Sequence, residues 1–259
     1  LSKPVITGDE GSAWLAFIDV FRTLRLESFR VLFFAILVFC TLAGVVQTLL
    51  IYVATYVFEF QPEQLAGLAS SVLVGILFAS LVAQWLSRRF DKRRALSICV
   101  VAGGMLAFSP QVLYFGGLLG QMSEGFKFGL IFTLNGVSQI FFIAYMILLD
   151  SMLSDSIDEH ELYSGKREEG LFFAARSFAT KASYGLGSFL AGIGLDIIHF
   201  PQSANPDTVP PEAVLNLAIM SGPVMFILFV ATVLISNRYP MNEERHREIL
   251  QGIESRAAA

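Results

Sequence analysis

Residues 31–58 run for 28 positions without a charged side chain. Four more such runs follow at 65–87, 95–123, 128–149 and 214–236. A soluble core has no need of charge-free stretches this long. An apolar layer about 30 Å thick, by contrast, takes roughly 20 residues of helix to cross. The rest of the composition agrees, with 54% of residues hydrophobic and only 15% charged, against roughly 25% charged in an ordinary soluble domain. These runs are expected to be helices, because an open strand in lipid leaves its backbone groups unpaired. Residues 171–200 form a further apolar run, giving an all-α membrane protein with six transmembrane helices.

The loops set the expected orientation. Arg22, Arg25 and Arg30 precede the first run, and Arg88, Arg89, Lys92, Arg93 and Arg94 follow the second. Lys166 and Arg167 lie between the fourth and fifth, and Arg238, Arg245 and Arg247 follow the sixth. The opposite side carries only Lys127. The positive-inside rule then puts both termini in the cytoplasm. Residues 1–30 become amphipathic, with Trp14, Phe17, Ile18, Phe21 and Leu24 at three- and four-residue steps. That suits a helix lying in the interface, or a plain linker into the first span. Pro110 is expected to kink the third span. The tail, residues 238–259, is highly charged and is expected to fray in water.

The fifth run departs from the others by carrying Arg176 and Lys181. A cation inside a spanning helix costs about 2.5–3.5 kcal/mol on insertion scales. Arg176 is close enough to the polar end to snorkel. Lys181 lies five residues deeper and requires a polar cavity or a carboxylate. Asp196 is too far along the same helix, and the other runs have no Asp or Glu in their middles. The partner of Lys181 is therefore expected from another chain or from a part of the protein outside this sequence.

Ahead of this helix, residues 150–169 form a polar, acidic segment. If it is helical, Asp155, Asp158 and Glu161 share a face at i, i+3 and i+6. Such a face either keeps a loop solvated or acts as a gate that pairs with basic residues on facing loops. No EF-hand spacing is present. His160, His199 and His246 lie too far apart in sequence for metal-ligand spacing, so neither a metal nor a cofactor is expected. Cys40 and Cys99 fall inside apolar runs and are read as packing residues. No basic domain suggests nucleic acid as a partner.

Small residues mark packing faces. Gly187, Ala191 and Gly194 recur at i, i+4 and i+7, and Gly185, Ser188 and Gly192 line a neighbouring stripe, as close helix contacts require. Gln47, Thr48, Tyr52, Thr133, Asn135, Gln139 and Tyr145 are polar groups at membrane depth, expected to bond between helices.

The run from Asp155 through Asp158, Glu161, Gly165, Arg167, Glu169, Gly170 and Phe173, with Lys181 beyond it, resembles the D-x-x-D-x-x-E…G-x-R-x-E-G-x-x-F…K signature of the glycoside–pentoside–hexuronide cation symporters. These are the melibiose-carrier branch of the major facilitator superfamily. The basic loop SRRFDKRR resembles a shorter loop of that superfamily but departs from it at Arg88, where an Asp is usual, and at Asp91, where a Gly is usual. The resemblance implies that the six spans are the second half of a twelve-helix fold, with residues 1–30 as its central loop. It implies cation-binding carboxylates in the absent N-terminal half, with Lys181 facing them. Arg176 and Ser177 fall where the sugar cavity is lined, and Asp155, Asp158, Glu161 and Arg167 form a cytoplasmic gate. An uncharged polar residue is usual at Arg176, which makes a carboxylate-bearing solute easier to imagine.

The expected function is secondary active transport in the plasma (inner) membrane. A small polar solute (a sugar, glycoside or uronide) would move with H⁺ or Na⁺ by alternating access. Alternatives are a half-carrier or six-helix assembly module, and transport of a lipid or organic anion. An enzyme is not expected, since the spans hold no histidine, no paired carboxylates and no nucleophile beside a base. The expected organisation is a linker over 1–30, a bundle over 31–237 and a tail over 238–259. Because the sequence opens on Leu1, it is read as a piece of something longer.

Overall fold

The computed structural model describes residues 23–201, 209–240 and 243–257, and among them there is no strand. Trp14, Phe17, Ile18 and Phe21 of the expected amphipathic helix lie outside these residues.

Helix α1, Glu27–Tyr52, runs on through a π-helical turn, Val53–Val57. Helix α2, Pro62–Ser70, starts at a capping box in which the Gln64 side chain accepts from the Gln61 N–H at 2.8 Å. Proline at its first position suits a helix start. It passes into α3, Val72–Arg89. Helix α4, Lys92–Phe115, continues through Pro110 without a break. Helix α5 is Glu124–Ser164 and α6 is Glu169–Ile197. Helix α7, Pro211–Ile219, joins α8, Met225–Ser236, through a second π-helical turn, Met220–Val224. Helix α9 is Glu243–Ala257.

Five of these stretches are long and apolar enough to cross a membrane: Glu27–Val57, Pro62–Arg89, Lys92–Phe115, Glu124–Ser164 and Pro211–Ser236. Helix α6, at 29 residues, has the length but is more polar. Its path follows from its neighbours. Near its start Phe172 meets Phe29, about two thirds of the way along Gly187 meets Gly44, and just past its end Phe200 meets Tyr56. The offsets are 143, 143 and 144 residues, so α6 runs parallel to α1 from one end to the other. The six expected spans thus comprise five apolar helices and one polar helix held along the first.

The acidic segment between the fourth and fifth runs is helical as far as Ser164 and makes up the last third of α5. Between Val137 and Ser164 there is no Gly or Pro to stop the helix, and it ends only at Gly165, which adopts φ 71° and donates its N–H to the Glu161 carbonyl at 2.9 Å. At 41 residues and 1.5 Å per residue, α5 is roughly 60 Å long, about twice a hydrocarbon core. One end therefore projects beyond the bundle.

Glycines set the helix contacts. A Cβ on Gly187 would stand 2.9 Å from the Val45 nitrogen and 3.0 Å from the Gly44 Cα, so α1 and α6 touch backbone to backbone. Gly194 lies against Met220, Gly75 of α3 against Gln139 of α5, and Gly104 of α4 against the Phe229 ring of α8. Gly185 and Gly192 face open space, so of the second expected stripe only Ser188 meets α1, at Thr48. Phe39 of α1 joins the core to α5, its ring 4.5 Å from Tyr145 and 5.7 Å from Phe142.

The tail is ordered where fraying was expected. Helix α9 buries Ile249 and seats Gly252 against Leu162 of α5. Its approach is fixed by Tyr239, buried, whose hydroxyl donates to the Met152 carbonyl at 3.1 Å.

Candidate functional site

On α6 the buried stripe Ala175, Ala179, Ser183, Gly187 and Ala191 faces α1. A second stripe, Ser177, Lys181, Tyr184 and Ser188, has the spacing i, i+4, i+7 and i+11 and runs beside the first, touching α1 where Ser188 meets Thr48. Lys181, Tyr184 and Ser188 are exposed, and Ser177 is half-buried. Among the described residues Lys181 forms no ion pair. By the constant offset it lies level with Val38, 11 residues into α1, or roughly 16 Å from that helix's start. A lysine at that depth on a face open to lipid is costly unless it meets a partner or a polar path.

The other cation of α6 is satisfied within the chain. Arg176 lies against Asp150 of α5, Nε to Oδ1 at 2.8 Å and Nη2 to Oδ2 at 2.9 Å. Two parallel charge-assisted bonds in this fork geometry are the strong form of the pair. The Arg176 side chain is 23% exposed and that of Asp150 41%, so the pair opens to the surface between two helices.

Tyr184 leads from the exposed stripe into a cavity of about 260 Å³. Its polar lining includes Gln47 of α1, Gln111 of α4, and Asn135, Ser138 and Gln139 of α5, with Phe142 and Phe39 among its apolar walls. Of the polar groups expected to bond between helices, Asn135 accepts from Ser71 at 2.9 Å, and Thr48 donates to Ser188 at 3.1 Å. Tyr145 pairs with Ser236 at 3.0 Å. Thr133 bonds the Gly129 carbonyl of its own helix instead.

The projecting end of α5 holds the expected gate residues, and the structure brings them together. Lys92, at the start of α4, places Nζ 2.8 and 2.7 Å from the two oxygens of Asp155. Arg167 reaches Asp158 and Glu161, both at 2.8 Å, and Glu169 at 2.6 Å. Those three hydrogen bonds, the one donated to Glu169 foremost, push the Arg167 guanidinium above its ordinary range.

Helix α9 completes this cluster. His246 Nε2 lies 3.1 Å from Asp158 and 3.5 Å from Asp155. Arg245 donates to Glu159 at 2.9 Å, and Ser28 of α1 donates to the other oxygen of that carboxylate. Bonding to Glu159 raises the Arg245 guanidinium in the same way. Asp155 and Glu159, four residues apart, form the buried edge of the acidic face. Asp158 and Glu161 form its outer edge.

Asp150, Glu159, Lys92, Arg245 and His246 join the site without having been singled out from sequence. Ser28 and Arg245 lie 131 and 86 residues from Glu159, and no local pattern joins them. For α9 a signal was present, since His246, Ile249 and Ile253 recur at i, i+3 and i+7. Among the described residues the acidic side chains converge on arginine and lysine, and no three His, Cys, Asp or Glu converge as metal ligands would.

The family described as MFS/sugar transport protein matches residues 9–243. YagG of Escherichia coli, named as a candidate glycoside/cation symporter, is 26% identical over 80% of this chain and 43% of its own length. The isoprimeverose transporter of Lactiplantibacillus pentosus is 28% identical over 54% of this chain and 28% of its own. The sodium-dependent lysophosphatidylcholine symporter 1 of Mus musculus is 23% identical over 75% of this chain and 34% of its own. The chain spans less than half the length of these curated relatives.

Proposed function

The chain belongs to the MFS/sugar transport family, and on that premise we propose that it forms the second six-helix half of a cation-coupled symporter. The solute is small and polar, a sugar, glycoside or uronide, and it moves with H⁺ or Na⁺ as two bundles rock about a midplane site. The absent N-terminal half supplies the cation-binding carboxylates. The protein resides in the plasma (inner) membrane with both termini cytoplasmic, and it works as a transporter and not as an enzyme. The organisation that fits is a linker over 1–30, a bundle over 31–237 and a tail over 238–259.

Lys181 carries this reading. It is an exposed cation at membrane depth on the one polar helix of the bundle, without an ion pair among the described residues. Lipid does not accommodate such a group cheaply, whereas carboxylates on a facing half do. During the cycle Lys181 and the coupling cation compete for those carboxylates, so that binding of one releases the other. Ser177, one turn away on the same stripe, and Arg176 line the solute path. Asp155, Asp158, Glu161 and Arg167 act as the cytoplasmic gate, with Lys92 at the start of α4 as the facing basic group that such a gate needs.

The test is solute uptake by the full-length protein carrying Lys181→Ala or Lys181→Arg, with and without a cation gradient. The expected result is loss of cation-driven accumulation in the Ala variant. Unchanged uptake and unchanged cation dependence in both would remove Lys181 from coupling. A panel of sugars, uronides and lysophosphatidylcholine identifies the solute class.

A further inference from the structure

We propose that Asp150 is a specificity-determining residue that neutralises Arg176 and so sets the symporter for neutral, hydroxyl-rich solutes over anionic ones. The inference rests on the transport reading above and names the solute class for it. Arg176 taken alone favours a carboxylate-bearing solute, because a guanidinium on the solute path proposed above is an anion site. The structure shows that site already filled. The Asp150 carboxylate occupies the Nε and Nη2 edge of the guanidinium at 2.8 and 2.9 Å, the fork an incoming carboxylate would need.

What the pair leaves free suits a polyol. A guanidinium has five N–H donors, of which two are taken here, and an ionised carboxylate has about four acceptor sites, of which two are taken. Asp150 is 41% exposed and Arg176 23%, so the free donors and acceptors are accessible. Ser177 adds a hydroxyl at the next position of α6. Donors and acceptors side by side at zero net charge match vicinal hydroxyls, each of which both donates and accepts. An anion at the same place would meet the Asp150 carboxylate and would have to displace it. Asp150 is thus the chain's own occupant of an anion site, and removing its charge should expose that site.

The experiment compares uptake of a β-glucoside and the β-glucuronide with the same aglycone, which differ only in a CH₂OH against a carboxylate. It uses the full-length protein in proteoliposomes under a cation gradient. The wild type should prefer the glucoside. Asp150→Asn should shift the uptake ratio toward the glucuronide by about tenfold or more, the scale of one charge-assisted bond gained. The double variant Asp150→Asn/Arg176→Gln should lose that gain, since no guanidinium remains to bind the carboxylate. A merely structural tie between α5 and α6 would lower both uptakes together and leave the ratio alone, which would overturn the inference.

Should Asp150→Asn fail to reach the membrane, Arg176→Gln reads the same point in reverse. With Asp150 unmasked, discrimination against the glucuronide should rise, and an unchanged ratio there would also overturn it. A wild type that prefers the glucuronide sinks this inference and leaves symport standing. Uptake of neither compound by any of these proteins sinks the sugar-transport reading and this inference with it.

Discussion

Gly187 of α6 and Gly44 of α1 meet backbone to backbone: a Cβ on Gly187 would lie 3.0 Å from the Gly44 Cα, 2.9 Å from the Val45 nitrogen and closer still to the Thr41 carbonyl. On the other side, a Cβ on Gly44 would lie 3.1 Å from the Tyr184 Cα. All of these neighbours are main chain and cannot rotate aside. This contact sits about two thirds of the way along two parallel helices and fixes the depth of Lys181 and Tyr184.

Gly187→Ala should therefore force α1 and α6 apart. Overpacking a tight contact costs about 1–3 kcal/mol, and here the strain also moves the stripe that carries Lys181. Gly185→Ala is the control, since nothing lies within 4 Å of its Cβ position. Thermal melting of the detergent-solubilised full-length protein should show a clear drop for Gly187→Ala and almost none for Gly185→Ala. Helix propensity favours Ala at both positions, so equal drops would mean that the α1–α6 contact does not set the effect.

Lys92 holds Asp155 with both carboxylate oxygens engaged, and the Asp155 side chain is only 8% exposed. Replacing Lys92 with Met leaves that buried carboxylate to His246, 3.5 Å away. The expected loss is about 1.5–3 kcal/mol, the range for a hydrogen bond to a charged group. The double variant Lys92→Met/Asp155→Asn should recover part of it, because the penalty comes chiefly from the stranded charge. A double variant as unstable as the two single losses added together would show that the groups do not interact.

Tyr239 gives the pH dependence of the α9 anchor. Burial pushes its phenol above the ordinary tyrosine range, and the neighbouring Asp155 and Glu159 push the same way. The folded state thus binds the phenolic proton more tightly than the unfolded chain does. The contribution is complete below the unfolded value, about 10, and is lost as pH rises beyond it toward the folded one. Hydrogen exchange over α9, corrected for its intrinsic base catalysis, should accelerate above about pH 10 in the wild type. In Tyr239→Phe it should be somewhat faster at neutral pH and rise less steeply. A wild-type profile flat through that range would mean that Tyr239 does not anchor the tail.

The spans were legible because lipid imposes a coarse rule, that charge stays out of the middle of a crossing helix. Residues 31–58 obey it and form α1 with the π-helical turn after it, extended by four residues at the start to Glu27. The stripe of Gly187, Ala191 and Gly194 was legible for the same reason, since its spacing repeats with the helix. The end of α5 was not legible. Acidic composition reads as a turn, yet no residue there breaks a helix before Gly165. That misreading hid Asp150, which comes to face Arg176 only when α5 continues past it as a helix beside α6. The tail was misread from its net polarity, although Ile249 and Ile253 repeat at the spacing of a docked helix face.

Asp158 joins two elements that Glu161 does not. One of its oxygens accepts from Arg167, in the connection before α6, and the other lies 3.1 Å from His246 of α9. Glu161 meets Arg167 alone among these, with 25% of its side chain exposed against 13% for Asp158. Arg167 also retains Glu169 at 2.6 Å, so loss of Glu161 leaves it two carboxylates. Glu161→Gln should therefore cost no more than about 0.5 kcal/mol, as for an exposed pair, and leave α9 protected from proteolysis. Asp158→Asn weakens both attachments at once, and limited trypsin digestion should then cleave at Arg247 or Arg256 several times faster. If the gate reading is right, the same variant relaxes closure at the cytoplasmic end, and a cysteine placed at residue 161 becomes more reactive to a membrane-impermeant maleimide added from that side. Equal protease and maleimide reactivity in the two backgrounds would separate Asp158 from both α9 docking and the gate.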